Sequence, residues 1–226
     1  MNVMIYDTGI GLIPFLQKAI QKKKYNNYYL YMDEDVFPLG NKPKEFIIEH
    51  LKYVLNFANQ RYDILVLACN SLSSFLDYID LSKYKIKIYS IFEENIKLLN
   101  KDVTFIGTSA STSNVINYPK IALDDLPFLI ESNYVKEIIE LINSIDIKTN
   151  TAILGCTHFP LIKFIFEDLF PHITFISNED AIVNKLPNSH ILKVTGNEKA
   201  KKYLDIYLKK VIKFYVNNIF LLRCRT

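Results

Sequence analysis

The run Ile64-Leu65-Val66-Leu67-Ala68-Cys69-Asn70-Ser71 decides how this chain is read, because Ala152-Ile153-Leu154-Gly155-Cys156-Thr157-His158 repeats its form in the other half. Each is a short apolar stretch that ends in a cysteine and passes into polar, helix-starting residues. A run of this kind reads as a strand buried on both faces, as in a parallel sheet. At the carboxyl end of such a strand each thiol would stand beside a helix N-terminus, where α/β folds hold ligands and where thiolates are stabilised. Two thiols facing one cleft would suit removal of a proton from one face of a substrate and its delivery to the other.

Outward from these runs, β-favouring segments alternate with segments of helical period. The strands are read at 3–6, 28–31, 64–68, 86–91, 103–106, 152–154, 173–176 and 191–194. Helices are read at 12–22, 44–57, 71–78, 93–99, 135–145, 160–169 and 180–186, with a last one from Glu198. This alternation predicts an α/β fold of two similar parallel-sheet lobes with the active site in the cleft between them. The first lobe is expected over residues 1–95 and the second over 96–204, with a C-terminal helix at about 205–226 packing back on the first. Gly40-Asn41-Lys42-Pro43, Leu186-Pro187-Asn188-Ser189 and Thr195-Gly196-Asn197 supply turn chemistry at the joints.

Bulk properties exclude several classes. Half of the 226 residues are hydrophobic, enough for a core and too many for a disordered chain. With 27 basic and 24 acidic residues the net charge is only +3, so neither nucleic acid nor a membrane surface is an expected partner. No apolar stretch approaches the roughly 18 residues of a membrane span, and Met1-Asn2-Val3 leads into a strand rather than a secretory signal. Three widely spaced cysteines without a CxxC argue against a disulfide framework or zinc site, so a reducing cytoplasm is the expected compartment. Cys224 is read as incidental. His50, His172 and His190 are read as ordinary core or surface residues, and Asp33-Glu34-Asp35 as a solvated loop.

Three further clusters of small and polar residues fall at expected strand ends: Asp7-Thr8-Gly9, Pro38-Leu39-Gly40 and Gly107-Thr108-Ser109. Unpaired backbone N–H groups in such loops bind carboxylates, so a substrate with two carboxylates could be held without an arginine. Asp7-Thr8-Gly9 is also the triplet of aspartic proteases, but those need two such aspartates on a β-rich frame.

Val3-Met4-Ile5-Tyr6-Asp7-Thr8-Gly9-Ile10-Gly11-Leu12 resembles a D-S-G-x-G-G-L opening, and Ala68-Cys69-Asn70-Ser71 an A-C-N-T segment. Gly107-Thr108-Ser109-Ala110-Ser111 is similar to G-T-x-A-T, and Leu154-Gly155-Cys156-Thr157-His158-Phe159-Pro160-Leu161 matches L-G-C-T-H-[YF]-P-L throughout. In this order the motifs resemble the cofactor-independent glutamate racemases of the aspartate/glutamate racemase superfamily, from residue 3 to about 210. The resemblance implies a two-base racemisation with Cys69 and Cys156 on opposite faces of the substrate α-carbon. It implies that Asp7 assists Cys69 and His158 assists Cys156, with Glu131 as a third carboxyl group. It implies that Asp7, Thr8, Leu39, Gly40, Asn70, Ser71, Thr108, Thr157 and His158 hold glutamate or another acidic amino acid. No metal and no pyridoxal phosphate or other cofactor is implied; D-glutamate for peptidoglycan is the implied product and a homodimer the implied assembly.

The chain departs from this pattern at Thr8, which replaces a serine, and at Gly11-Leu12, where a doubled glycine is missing. It departs most at Met32-Asp33-Glu34-Asp35-Val36-Phe37-Pro38-Leu39-Gly40, which stands where the family has G-D-[TS]-A-R-x-P-Y-G. An aspartate racemase, or a relative that binds an acidic amino acid without turning it over, is the competing reading.

Overall fold

Strand β1 (Asn2–Asp7) is the centre from which the first sheet is built. Its side chains alternate between two cores: Val3 and Ile5 pack toward helix α1 (Leu12–Gln21), and Met4 and Tyr6 toward the opposite layer. The structure, a computed structural model, describes residues 1–22, 24–188, 192–201 and 203. Next come β2 (Asn27–Met32), α2 (Lys44–Asn59), β3 (Ile64–Leu67), α3 (Asn70–Ser73), β4 (Lys87–Ser90) and α4 (Ile91–Ile96). The second lobe comprises β5 (Val103–Gly107), α5 (Ser109–Ser113), β6 (Lys120–Ala122), α6 (Leu126–Glu131), α7 (Val135–Asn143), β7 (Thr151–Leu154), α8 (Lys163–Leu169) and β8 (Thr174–Ile176). Helix α9 (Glu179–Val183) and strand β9 (Lys193–Gly196) complete the described elements.

All described strand pairs within the two sheets are parallel. The first sheet runs β4-β3-β1-β2-β9 and the second β6-β5-β7-β8. The expected pair of parallel α/β lobes is therefore present, with one correction to its boundaries. The strand expected near 191–194 in the second lobe lies at 193–196 in the first sheet, pairing Asn27 with Lys193 through Leu30 with Gly196. Two interactions account for this. Ile182, Val183 and Leu186 join the core beneath α1, and the Asn197 side chain donates to Met32 O at 2.8 Å and accepts from Met32 N–H at 3.3 Å. Hydrophobic alternation identifies a strand but carries no information about which sheet receives it.

Strand β6 was not expected. It is a three-residue edge preceded by Pro119, too short to show a period. The helix expected at 71–78 is interrupted after Ser73, and the one at 160–169 begins as a 3-10 turn over Phe159–Ile162. The proposed packing of residues 205–226 lies outside the described residues, as do His190 and Cys224. Among the described residues no helix is long and apolar enough to cross a membrane.

Candidate active site

Asp7 ends β1, Cys69 follows β3 by two residues, Thr108 follows β5, and Cys156 follows β7 by two residues. These four carboxyl ends meet where the lobes face each other, the crevice in which parallel α/β sheets place ligands. One cavity is lined by Asp7, Thr8, Leu39, Gly40, Cys69, Asn70, Ser71, Thr108, Cys156, Thr157 and His158. Every expected substrate-holding position is thus at this cavity. Both cysteines are buried and free.

On the first-lobe side, burial raises the Cys69 thiol well above the usual range, and the Asp7 carboxylate raises it further. The Leu72 N–H and Thr8 hydroxyl oppose this, and Thr8 Oγ1 lies 4.0 Å from Cys69 Sγ. Asp7 is fully buried and its carboxyl is pushed up to about 6. Desolvation is the largest cause, opposed by the His158 charge, the Thr157 hydroxyl and the Thr8 N–H, which donates to Asp7 Oδ1 at 2.7 Å. Asp7 Oδ2 is buried and receives no hydrogen bond of normal geometry. Its surroundings therefore favour an incoming donor.

On the second-lobe side, Cys156 Sγ stands 3.8 Å from His158 Nδ1, and His158 Nε2 stands 2.7 Å from Glu131 Oε1. Burial alone would lower the imidazole pKa, but the contacts to Cys156 and Glu131 and the nearby charges of Cys156 and Asp7 outweigh it, lifting His158 to about 10. At neutral pH the ring is a cation. The two thiols thus differ in their charged neighbours: Cys156 stands beside the His158 cation, whereas Cys69 sits in surroundings that keep its proton.

Glu131, at the end of α6, does not line the cavity. It accepts from Ile10 N–H at 3.0 Å as well as from His158, so it bridges the lobes behind the thiols. Gly9 makes this bridge sterically possible: an added Cβ would come within 2.1 Å of Glu131 Oε1 and 2.6 Å of His158 Nε2. Gly9→Ala is expected to cost about 1–3 kcal/mol by overpacking. Denaturant titration would read this as a lower midpoint, and an alanine variant as stable as the parent would contradict the assignment.

Sequence reasoning missed two lining residues, Phe37 and Pro127. The Phe37 ring lies 5.4 Å from the His158 ring, across the cleft. Its place in the divergent loop before Pro38 was the available signal; Pro127 offered none. Asp33 is a correction. It is buried rather than solvated, accepts from Tyr6 OH at 3.0 Å, and lies 3.3 Å from His50 Nε2, so His50 too is a partnered residue. Its carboxyl is held below the usual range by the His50 contact first, against desolvation. Asp35, by contrast, is exposed and pairs with Lys199 at 2.6 Å.

The lobes also touch beside the cavity. Ser71 Oγ and Thr108 Oγ1 are 2.8 Å apart, and Ala110 N–H donates to Gly40 O at 2.9 Å. The cleft between them is narrow, with a volume of about 20 Å³, room for roughly one water. Among the described residues, no group of three or more His, Cys, Asp or Glu is arranged to hold a metal ion.

Comparison with known proteins gives this geometry a family. No protein-family model matches the chain. It is 30% identical over 228 residues to the glutamate racemase of Hydrogenobaculum sp. (strain Y04AAS1), covering 90% of this chain and 87% of that one. It is 28% identical over 248 residues to that of Buchnera aphidicola subsp. Schizaphis graminum, covering 92% and 95%. Among solved structures, Campylobacter jejuni glutamate racemase superposes with a TM-score of 0.75 at 22% identity, covering 98% of this chain and 100% of that one, which shows the shared fold. With 30% identity sustained over nine-tenths of its length, the chain belongs to the glutamate racemase family, a family of amino-acid racemases.

Proposed function

We propose that this racemase interconverts L- and D-glutamate by a two-base proton transfer between Cys69 and Cys156. The observation that carries the reading is the presence of both thiols at one cavity, from opposite lobes, each with its own charged neighbour. In one direction Cys156, beside the His158 cation, takes the α-proton and Cys69 gives one from the other face. In the reverse direction Cys69 must act as the base. A substrate ammonium close to Asp7 would offset the charge that disfavours its thiolate.

The α-proton of an amino acid is a very weak acid, so the site must also stabilise the carbanion-like state and exclude water. The Asn70, Ser71, Thr108 and Thr157 side chains supply neutral donors for the carboxylates, and closure around the small cavity supplies the desolvation. Cytoplasmic D-glutamate for peptidoglycan synthesis is the role that family resemblance attaches to this chemistry.

The test is proton NMR of L-glutamate and, in parallel, L-aspartate in D2O under reducing conditions. Loss of the glutamate α-proton signal, with D-glutamate accumulating, is the expected result. Exchange of aspartate alone would replace the substrate assignment. Exchange of neither, in folded protein that binds glutamate, would overturn turnover and leave a binding protein.

A further inference from the structure

Helix α4 packs against α3, the short helix that begins at Asn70, and one residue in that contact is out of character. Asn95 is 1% exposed, yet it places an amide in the buried last turn of α4, where an unpaired polar atom is costly. Its Nδ2 donates to Asn70 Oδ1 at 3.0 Å, whereas its own Oδ1 is buried without a partner. An aliphatic side chain would fill the same place without stranding a polar atom. The contact is also oriented: Ser73 Oγ accepts from Phe92 N–H at 3.4 Å one turn along α3, fixing how the two helices meet.

Asn70 lines the cavity beside Cys69. Its Oδ1 is taken by Asn95, and its Nδ2 makes no hydrogen bond among the described residues. Two amides could pair in either sense. The sense found here gives the Asn70 carbonyl to Asn95 and leaves both Asn70 N–H bonds without a partner among the described residues, and an anionic ligand favours the same choice because a carboxylate only accepts. An unheld Asn70 could present either end.

We infer that Asn95 is a positioning residue for substrate recognition: it fixes the Asn70 amide with its N–H bonds toward the cleft, where they meet a carboxylate of the amino-acid substrate. This rests on the racemase reading proposed above. It adds a residue remote from the reacting atoms whose task is the polarity of one that touches substrate.

The test measures KM and kcat for glutamate, with thermal unfolding in parallel, for wild type, Asn95→Leu, Asn95→Asp, Asn70→Ala and the Asn70→Ala/Asn95→Leu pair. Asn95→Leu is expected to raise KM about 10-fold, the scale of one hydrogen bond to a charged group, with kcat within about twofold. Asn95→Asp accepts from Asn70 Nδ2 and turns the carbonyl to the substrate, so its KM is expected to rise further. In the Asn70→Ala background, Asn95→Leu is expected to leave KM within about twofold, because the group it positions is gone.

An unchanged KM in Asn95→Leu, or an equal rise in both backgrounds, would overturn the inference and leave Asn95 a packing residue. A wild type that does not racemise glutamate would instead overturn the functional reading. If the leucine variant fails to fold, Asn95→Ser and the side-chain amide NMR signals of the wild type carry the test. The Asn70 N–H2 signals are then expected to shift on adding D-glutamate, and a spectrum in which they instead donate to Asn95 would overturn the inference.

Discussion

Replacing either Cys69 or Cys156 by alanine is expected to slow glutamate racemisation by about 10³-fold or more, within the range of a lost general acid or base. The two losses should differ in kind. Inversion needs both thiols, but deprotonation and reprotonation on one face need only one. Each single variant is therefore expected to keep slow α-proton exchange with solvent for one enantiomer, and the two variants should keep it for opposite enantiomers. D2O exchange of L- and D-glutamate, followed separately, reads this directly. Exchange of both enantiomers in one variant would show that the remaining thiol, or another group, serves both faces. Cysteine and alanine are both small, so thermal unfolding near that of the parent is the control that assigns the loss to chemistry.

Glu131→Gln is expected to have the second-largest effect, on stability and activity together. The carboxylate is the partner of a buried imidazolium and also accepts from the other lobe at Ile10 N–H. The sign of the pH dependence follows from His158, whose folded pKa of about 10 lies above its ordinary value. Its contribution to stability is full below about 6.5, declines as pH rises, and is lost through about 10. Removing Glu131 takes away one of the interactions that raise that pKa. The variant should therefore be less stable than the parent near neutral pH, by up to about 3 kcal/mol for a broken buried pair. The difference should narrow toward pH 10, where the parent ring is itself neutral. The alkaline limb of kcat/KM should also move to lower pH. Chemical denaturation across pH 6 to 10, with a parallel rate profile, measures both. A pH-independent destabilisation would mean that Glu131 acts only through its contact to Ile10.

Much of this was legible in the sequence because parallel-sheet chemistry concentrates at strand ends. Ala68-Cys69-Asn70 and Gly155-Cys156-Thr157-His158 announce themselves as apolar runs that stop at reactive residues, and all of the expected binding positions line one cavity. Three features escaped. Strand β9 was assigned to the wrong sheet because its partner is set by tertiary packing of α9 on α1. Asp33 looked like part of an acidic loop because its partners, Tyr6 and His50, are remote in the chain. Asn95 carries no motif, and only its burial against Asn70 distinguishes it from any polar helix residue.

The return of β9 to the first sheet also bears on how the protein is made. The second lobe is spliced into the first, so the ribosome completes β5 to β8 before it supplies the strand that flanks β2. Until then Asn27-Tyr28-Tyr29-Leu30-Tyr31-Met32 presents a bare strand edge, rich in tyrosine and without charge. Such edges recruit strands from other chains. The nascent first lobe is thus most exposed to aggregation while its own sheet waits for a strand encoded more than a hundred and fifty codons later, and slowing translation within the second lobe would prolong that exposure.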